Sequence, residues 1–478
     1  MMETKKLGGF SSSLGFVLAA AGSAVGLGNI WRFPYLAARD GGALFLLVYL
    51  VLILTFGFVV LATDIAIGRK TGKSAWHSFG SISPRWSFLG KLTFVVPALI
   101  ITYYTVIGGW IIKYLTVYCT GQGASAAEST YFTSFITSYA GPIVCMLIFL
   151  AITAFIVYLG VEKGIERFSK WVMPALFLMI LGIALYALTL SHTDASGVTR
   201  TGLQGLGYYL IPNLDGMTFS KFLSIVLDAT GQMFFSLSVA MGIMITYGSY
   251  VKKEVNLSKS VTQIAIFDTC VAFLSGMMII PAIYVFTGME DMTAGPSLMF
   301  VSLPKVFHSM GMAGTVVALA FFLMILFAAL TSCVSIMETL VADCMGIFHT
   351  TRKKAALGMA IFAGLSALVI CLGYNMFYFE YTLPNGSPAQ LLDIMDYLSN
   401  NFLMPMIAFL TAIFIGWIVK PKWIIEEMEI GDGAKPFRKQ TFYSVMIRFV
   451  VPVIMAVLFL QSTGILKFLY NLLYNLFV

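Results

Sequence analysis

Long apolar runs recur from one end of the chain to the other and limit the folds open to it. Examples are 43–62, 144–159, 173–190 and 402–419. A run of about 20 apolar residues can cross a bilayer as a helix, and in lipid its backbone polar groups must be satisfied within the segment. Charged residues make up only 11% of the chain, against about 25% in an ordinary soluble domain. The sequence therefore predicts an all-α polytopic membrane protein, with lipid around it.

Eleven such runs are long enough to count as spans. No polar stretch remains that could fold as a separate soluble domain, so we expect 1–478 to form a single domain. An odd number of spans places the two termini on opposite sides of the membrane. The predicted spans are roughly 11–38, 42–68, 88–118, 139–160, 168–190, 222–250, 257–286, 314–346, 355–373, 388–419 and 440–463.

The basic residues give the orientation. The net charge of +7 could suggest a nucleic-acid partner, but most of the Lys and Arg residues lie in alternate loops. Such clusters occur at 5–6, 69–91, 163–170, 252–259, 352–354 and 420–448. Cytoplasmic loops of membrane proteins carry this excess of Lys and Arg. We therefore predict a cell-membrane protein with a cytoplasmic N-terminus, an extracellular C-terminus and no nucleic-acid partner.

Residue types that are typical of enzyme active sites and metal sites do not cluster along the sequence. The six cysteines and four histidines are scattered singly, without metal-ligand or nucleophile spacing. Residues 68–74 resemble a phosphate-binding loop, but three residues separate the glycines where four are needed. We predict that the chain is not an enzyme and binds no nucleotide there. Any uphill transport would then draw on an ion gradient. An ion channel remains an alternative, although rings of filter groups are not evident.

Two spans are interrupted where a continuous helix would be expected. In the first span, Gly22, Gly26 and Gly28 each weaken the helix by about 1 kcal/mol relative to Ala, and Asn29 and Arg32 add polar groups. Five spans later, 231–242 is another polar, Gly-flanked interruption. Small residues that let helices pack closely are the simpler explanation, but they do not account for the polar residues. Paired interruptions in two repeats indicate a transporter's binding site near the bilayer midplane.

The same segments resemble the neurotransmitter:sodium symporter family, in its bacterial amino-acid-transporting branch. The resemblance is carried by 21–35, the pair Tyr103 and Tyr104, 231–242, 328–332 and 392–396. It implies a 5+5 fold of two inverted five-helix repeats, here 11–190 and 222–419, with 440–463 as an eleventh span. The first and sixth helices would be unwound at the midplane. The implied function is sodium-coupled symport of an amino acid by alternating access.

The resemblance also implies two sodium sites, made entirely of oxygen ligands that suit a hard cation. The first site would combine a carbonyl, side-chain ligands and the carboxylate of the substrate, which would couple sodium to substrate. The second would lie between the first and eighth spans. The first set is Ala24, Asn29, Ser236 and Asp268, and the second is Gly22, Val25, Ala328, Thr331 and Ser332.

Asp268 bears on the choice of ions. Chloride-dependent members of the family have a neutral Asn at this position, and chloride supplies the negative charge. Here the carboxylate belongs to the protein, and a buried Asp needs a cation partner or takes up a proton. We therefore expect chloride independence, with protonation of Asp268 on the return step as one route for proton counter-transport.

Gly26 indicates the class of substrate. Monoamine carriers of the family have an acidic residue at this position, whereas glycine leaves room for a carboxylate on the substrate. Amides of Leu27 and Gly28 and the hydroxyl of Tyr104 would bind that carboxylate. The amino group would meet the carbonyls of Ala24, Phe235 and Ser236 and the hydroxyl of Ser238, and the side-chain pocket would consist of Ile100, Tyr104, Phe235, Ser238, Met241, Ser332 and Ile336.

This pocket holds no fixed charge, so large neutral amino acids, including aromatic ones, are expected. Met241 is flexible and polarisable, which suits apolar groups of irregular shape. A neutral aromatic compound without an amino-acid backbone is the alternative cargo.

The gates match the family on the outside only. Arg32 and Asp396 correspond to the outer pair, with Phe235 as a lid, and Tyr250 is retained at the inner gate. The inner Arg, Trp and Asp of the family are replaced by Leu7, Phe10 and Gly346. Lys6 and Asp343 are candidates to substitute for the lost charges. Asp64 and Glu338 are expected to be structural, bonded to neighbouring backbone.

Overall fold

The computed structural model describes residues 8–194, 196–214, 216–384, 386–431, 436–437 and 439–466. Within these residues the chain is almost entirely helical, with two short β-hairpins. The helices are α1 Ser13–Ala24, α2 Gly28–Arg39, α3 Ala43–Thr71, α4 Ala75–Ile82, α5 Pro84–Cys119, α6 Gly123–Ala126, α7 Tyr131–Ile136, α8 Ala140–Tyr158, α9 Val161–Leu188, α10 Gly202–Leu210, α11 Phe219–Ser236, α12 Ile243–Ser249, α13 Leu257–Thr287, α14 Leu303–Ser309, α15 Met312–Ile347, α16 Arg352–Leu372, α17 Leu391–Val419, α18 Lys422–Met428 and α19 Gln440–Ser462. The hairpin strands are β1 Ser191–Thr193, β2 Thr199–Thr201, β3 Tyr381–Thr382 and β4 Pro388–Ala389.

Nine of the described helices are long and apolar enough to cross a membrane, and α1 with α2 makes a tenth. Their bounds agree closely with the predicted spans; α5, for example, covers the predicted 88–118. The predicted sixth span, 222–250, is split between α11 and α12 and is not among the ten. The expectation of a polytopic helical membrane protein is confirmed, and the count of eleven stays a prediction.

The first break lies between α1 and α2, whose axes differ by 55°. The hydroxyl of Ser12 caps the start of α1 by accepting a hydrogen bond from the Gly15 amide at 3.0 Å. The helix ends at Ala24, where Val25 takes up extended backbone angles. The chain becomes helical again just before Gly28. Helical hydrogen bonding is therefore interrupted at the two residues that precede Leu27, which frees backbone carbonyls at the end of α1.

The second break lies between α11 and α12, over residues 237–242. Ser238 and Ala240 have φ values of 52° and 60°, and Gly242 has 77°. Left-handed backbone is costly for residues other than glycine and persists where surrounding contacts enforce it. One such contact is the hydrogen bond from the Ala240 amide to Oδ2 of Asp64, at 2.9 Å.

The two broken helices are packed among the long helices. α1 contacts α13, α15 and α9, while α12 packs against α3. α5 packs against α15 and α8, so that Tyr104 and Ser332 can face the breaks from neighbouring helices. Large apolar side chains such as Phe155 and Leu178 lie on the outside of the bundle. An apolar outside with polar groups inside is the arrangement expected for a protein surrounded by lipid.

Candidate functional site

A cavity with about 390 Å³ of empty volume lies between the two breaks. Every residue predicted to contact the substrate lines it, although they come from four separate parts of the chain. Their roles as ligands stay predictions, but the structure brings them together. The lining consists of Ser23, Ala24, Gly26, Leu27, Gly28, Asn29, Ile100, Tyr104, Phe235, Ser236, Ser238, Met241, Ile243, Ser332 and Ile336.

Gly26 lines this cavity and lies close to two side-chain hydroxyl groups. A Cβ atom at Gly26 would lie 2.9 Å from Oγ of Ser332 and 3.4 Å from the hydroxyl of Tyr104. The Tyr104 hydroxyl is buried and has no hydrogen-bond partner within the described structure. A buried donor without a partner is unusual in a folded protein. The space beside Gly26 is thus bordered by a hydroxyl that is available to a ligand.

The other predicted side-chain ligands of the first sodium site, Asn29 and Ser236, lie around Asp268. Its Oδ1 accepts hydrogen bonds from Nδ2 of Asn29 at 2.8 Å and Oγ of Ser236 at 2.7 Å. Tyr49, which the sequence did not single out, donates to Oδ2 from its hydroxyl at 3.2 Å. Asp268 is fully buried, and no described Lys, Arg or His forms an ion pair with it. A buried carboxylate with only neutral partners favours binding of a cation.

The predicted second site gathers oxygens from α1 and α15. Oγ of Ser332 lies 3.5 Å from the Gly22 carbonyl oxygen and 3.4 Å from that of Val25. The hydroxyl of Thr331 lies 3.0 Å from the carbonyl oxygen of Ala328. Carbonyl and hydroxyl oxygens at the end of an interrupted helix are suitable ligands for a hard cation.

Next to the cavity, Gln232 connects the two broken helices. Its Nε2 donates to the carbonyl of Gly28 at 3.1 Å, and its Oε1 is buried without a partner in the described chain. The ring of Phe235 packs over Gly28, where an added Cβ would lie 2.8 Å from it. The predicted lid residue is therefore in contact with the first break.

The outer gate pair is not in contact in this structure. Nδ2 of Asn400 donates to Asp396 at 2.7 Å. Among the described residues, no ion pair within 4 Å joins Arg32 to Asp396 or to Asp228. Asp228, which was missed at the sequence level, pairs with Arg39. The nearby Asp393 accepts a hydrogen bond from the Gln390 amide at 2.9 Å and so caps α17.

Near the predicted inner gate, Glu338 has partners that differ from those expected. Arg352 binds its carboxylate through two nitrogens at 2.6 and 2.8 Å, and the hydroxyl of Tyr250 donates to Oε1 at 2.6 Å. The expected backbone partner is thus wrong for Glu338, because the start of α16 brings a guanidinium to it. For Asp64 the expectation is confirmed by its bond to the Ala240 amide.

The substituted inner-gate positions are filled in other ways. Phe10 packs against Phe16 and Tyr247, with ring centroids 5.5 Å apart in both cases. A Cβ at Gly346 would lie 2.8 Å from the ring of His77, which occupies the space of a larger side chain. Oδ1 of Asp343 accepts a hydrogen bond from the Trp76 amide at 2.9 Å. Lys6 and Leu7 lie outside the described residues.

The start of α1 is held by another buried carboxylate, which sequence reasoning missed. Glu166 on α9 accepts hydrogen bonds from the amide of Ser11 at 2.7 Å, its hydroxyl at 2.6 Å and the hydroxyl of Ser12 at 2.9 Å. Lys170 pairs with it at 2.7 Å. Because Ser11 and Glu166 are 155 residues apart, no local pattern could have indicated this contact.

Comparisons with known proteins point to one family of transporters. The family model "Sodium:neurotransmitter symporter family" matches residues 8–134 and 132–477. An uncharacterised sodium-dependent transporter of Bacillus subtilis is 33% identical over 473 residues, which cover 98% of this chain and all of the relative. The human sodium- and chloride-dependent GABA transporter 2 is 24% identical over 91% of this chain and 77% of its own length.

A crystal structure of MhsT in complex with L-phenylalanine is similar to this structure. The TM-score is 0.81 and the identity 34%, and the match covers 95% of this chain and 99% of MhsT. The family matches are to transporters, many of them named as sodium-dependent. This chain belongs to the sodium:neurotransmitter symporter family and is a multi-pass, sodium-dependent membrane symporter.

Proposed function

We propose that this symporter imports large neutral α-amino acids, hydrophobic or aromatic, with two sodium ions and without chloride. The observation that carries the proposal is the cavity that brings every predicted substrate residue to the two helix breaks. A bound amino acid in the similar MhsT structure supports this class of cargo. Sodium and substrate would move together as the broken helices α1–α2 and α11–α12 rearrange within an eleven-span fold of two inverted repeats, 11–190 and 222–419.

The absence of a fixed charge in the cavity supports a neutral side chain on the substrate. None of the lining residues is Asp, Glu, Lys, Arg or His. An ionised side chain would lose its hydration without gaining a partner. The carboxylate of the substrate is a different case, because the Tyr104 hydroxyl and a sodium ion beside Asn29 and Ser236 would compensate for its lost hydration. That carboxylate would lie beside Gly26, which has no side chain to exclude it.

The cluster around Asp268 supports chloride independence. Its carboxylate already lies 2.7 Å from Oγ of Ser236 and 2.8 Å from Nδ2 of Asn29. The negative charge that balances sodium is therefore supplied by the chain itself. In this proposal Asp268 binds sodium on the inward step and takes up a proton when the empty carrier returns.

The experiment that tests the function measures thermal stability of the detergent-purified protein with each common amino acid, with tryptamine and with indole, in sodium and in potassium. A ligand at 100 times its Kd stabilises the native state by about 2.7 kcal/mol. We expect shifts in Tm with large neutral amino acids, in sodium only. Equal shifts in potassium, or shifts with indole or tryptamine alone, would contradict the link between carboxylate and sodium.

A further inference from the structure

Ser23 lines the cavity, although its sequence context did not indicate a role. It lies in the last turn of α1 and faces Ser238, in the non-helical segment between α11 and α12. The two Oγ atoms are 3.2 Å apart, and Oγ of Ser238 also lies 2.9 Å from the carbonyl oxygen of Ser23. Both residues are buried, at 3% and 6% exposed. The two breaks thus meet through a pair of hydroxyl groups at the cavity wall.

In this pair of hydroxyl groups, the donors are used up but acceptor capacity remains. A serine hydroxyl has one proton to donate and two lone pairs with which to accept. Ser238 donates to the Ser23 carbonyl, and Ser23 donates to Oγ of Ser238. Both protons are therefore in use, while Oγ of Ser23 accepts no hydrogen bond within the described residues. The pair presents an acceptor to the cavity, and no free donor.

The neighbouring wall offers little that would compete for a polar group. Ile100, Ile336 and Met241 are buried and apolar, and Phe235 contributes a ring. The hydroxyl of Ser332 faces the carbonyls at the end of α1, 3.3 Å from that of Ser23 and 3.4 Å from that of Val25. A largely apolar wall with an acceptor at Ser23 fits an aromatic ring that carries one N–H or O–H group.

We propose that Ser23 is a specificity-determining residue that accepts a hydrogen bond from the ring of the substrate, so that tyrosine and tryptophan are preferred over isosteric aromatic amino acids without this donor. The inference rests on the proposed function and narrows its substrate class. Ser238 has a left-handed φ of 52°, and its hydroxyl donates to the carbonyl of Ser23 at 2.9 Å. This contact uses the Ser238 proton and leaves Oγ of Ser23 as the acceptor.

The test compares dissociation constants in sodium for matched ligands, on the full-length protein and on Ser23→Ala and Ser23→Thr variants. Tyrosine is paired with 4-fluorophenylalanine, and tryptophan with 1-methyltryptophan, which lacks the indole N–H. Removing one hydrogen bond should change a ratio of affinities by about two- to tenfold. We expect Ser23→Ala to lower the preference for the donor-bearing ligand by this factor in both pairs, and to weaken the donor-bearing ligands more than phenylalanine or leucine. Ser23→Thr, which keeps the hydroxyl, should retain the preference.

Each other outcome overturns the inference in a recognisable way. Equal weakening of every ligand in Ser23→Ala would mean that the hydroxyl serves the shared amino group or the packing of α1. A wild-type protein that does not discriminate within either pair would exclude the acceptor role without the need of a variant. Absence of sodium-dependent binding by every amino acid would overturn the proposed function together with this inference.

Discussion

Asp268 is the residue at which the ion requirement should be decided. Replacement by Asn keeps the size and one acceptor but removes the charge from a fully buried cluster. An interaction with a charged group contributes about 1.5–3 kcal/mol, and 1.4 kcal/mol is a tenfold change in affinity. We therefore expect Asp268→Asn to raise the sodium concentration needed for ligand-induced stabilisation by roughly tenfold or more.

The matched control is Asp194→Asn in the β1–β2 loop, where the carboxylate pairs with Arg200 at 3.0 Å, away from the cavity. Sodium titrations of Tm in the presence of substrate measure both variants. An unchanged sodium requirement in Asp268→Asn would show that the cluster does not bind the ion.

Gly26 gives a steric prediction at the same scale. In Gly26→Ala the new methyl group would lie 2.9 Å from Oγ of Ser332, and it would occupy the space assigned to the substrate's carboxylate. We expect the affinity for amino acids to fall by roughly tenfold or more, because overpacking costs about 1–3 kcal/mol.

Gly358→Ala on α16 is the control, since a Cβ there has no atom within 4 Å beyond its own helix. Binding of a radiolabelled amino acid to both purified variants measures the effect. Normal affinity in Gly26→Ala would place the carboxylate elsewhere.

At the scale of whole elements, Glu338 connects three helices. It lies on α15, is fully buried, and binds Arg352 at the start of α16 as well as Tyr250 after α12. Removing one partner of a buried pair leaves a charge without compensation, at a cost of about 3–5 kcal/mol. Arg352→Ala should therefore lower the Tm clearly, whereas Lys353→Ala, which removes a contact with the Tyr158 ring, should change it little.

The double variant Glu338→Leu with Arg352→Met separates charge from packing. Replacing both partners by apolar groups of similar volume is often neutral, so most of the lost stability should return. A double variant as unstable as Arg352→Ala would mean that the guanidinium acts through its packing against α8 and not through the ion pair.

The elements also show what could be predicted from sequence. Apolar runs and the glycines near Gly26 determine structure through neighbouring residues in the sequence. The spans and the first helix break could therefore be located from the sequence alone. Tyr49, Ser23 and Glu166 could not, because each meets a partner that is distant along the chain. A uniformly apolar helix does not reveal which of its faces meets which neighbour. The sequence indicated that Glu338 is an acidic residue within a span, but it did not indicate the pairing with Arg352 on the next helix.

For the molecule as a whole, the proposal predicts which ions drive uptake. Purified protein in liposomes should accumulate a large neutral amino acid when sodium is higher outside than inside, since any uphill step must draw on that gradient. Replacing external chloride by gluconate at constant sodium should leave the initial rate unchanged, because Asp268 supplies the negative charge beside Asn29 and Ser236. A lower internal pH should speed the return step, because it favours the protonated form of Asp268 that returns in this proposal. A higher external pH should speed release of that proton to the outside.

The Asp268→Asn variant is the control that tests whether the pH response of uptake depends on Asp268. With a neutral side chain at the site, uptake should be slower, and it should lose its response to pH. A steep dependence of wild-type uptake on chloride would contradict the assignment of the balancing charge to Asp268. Uptake that continues in potassium without sodium would contradict the coupling itself, and it would separate this chain from its sodium-dependent relatives.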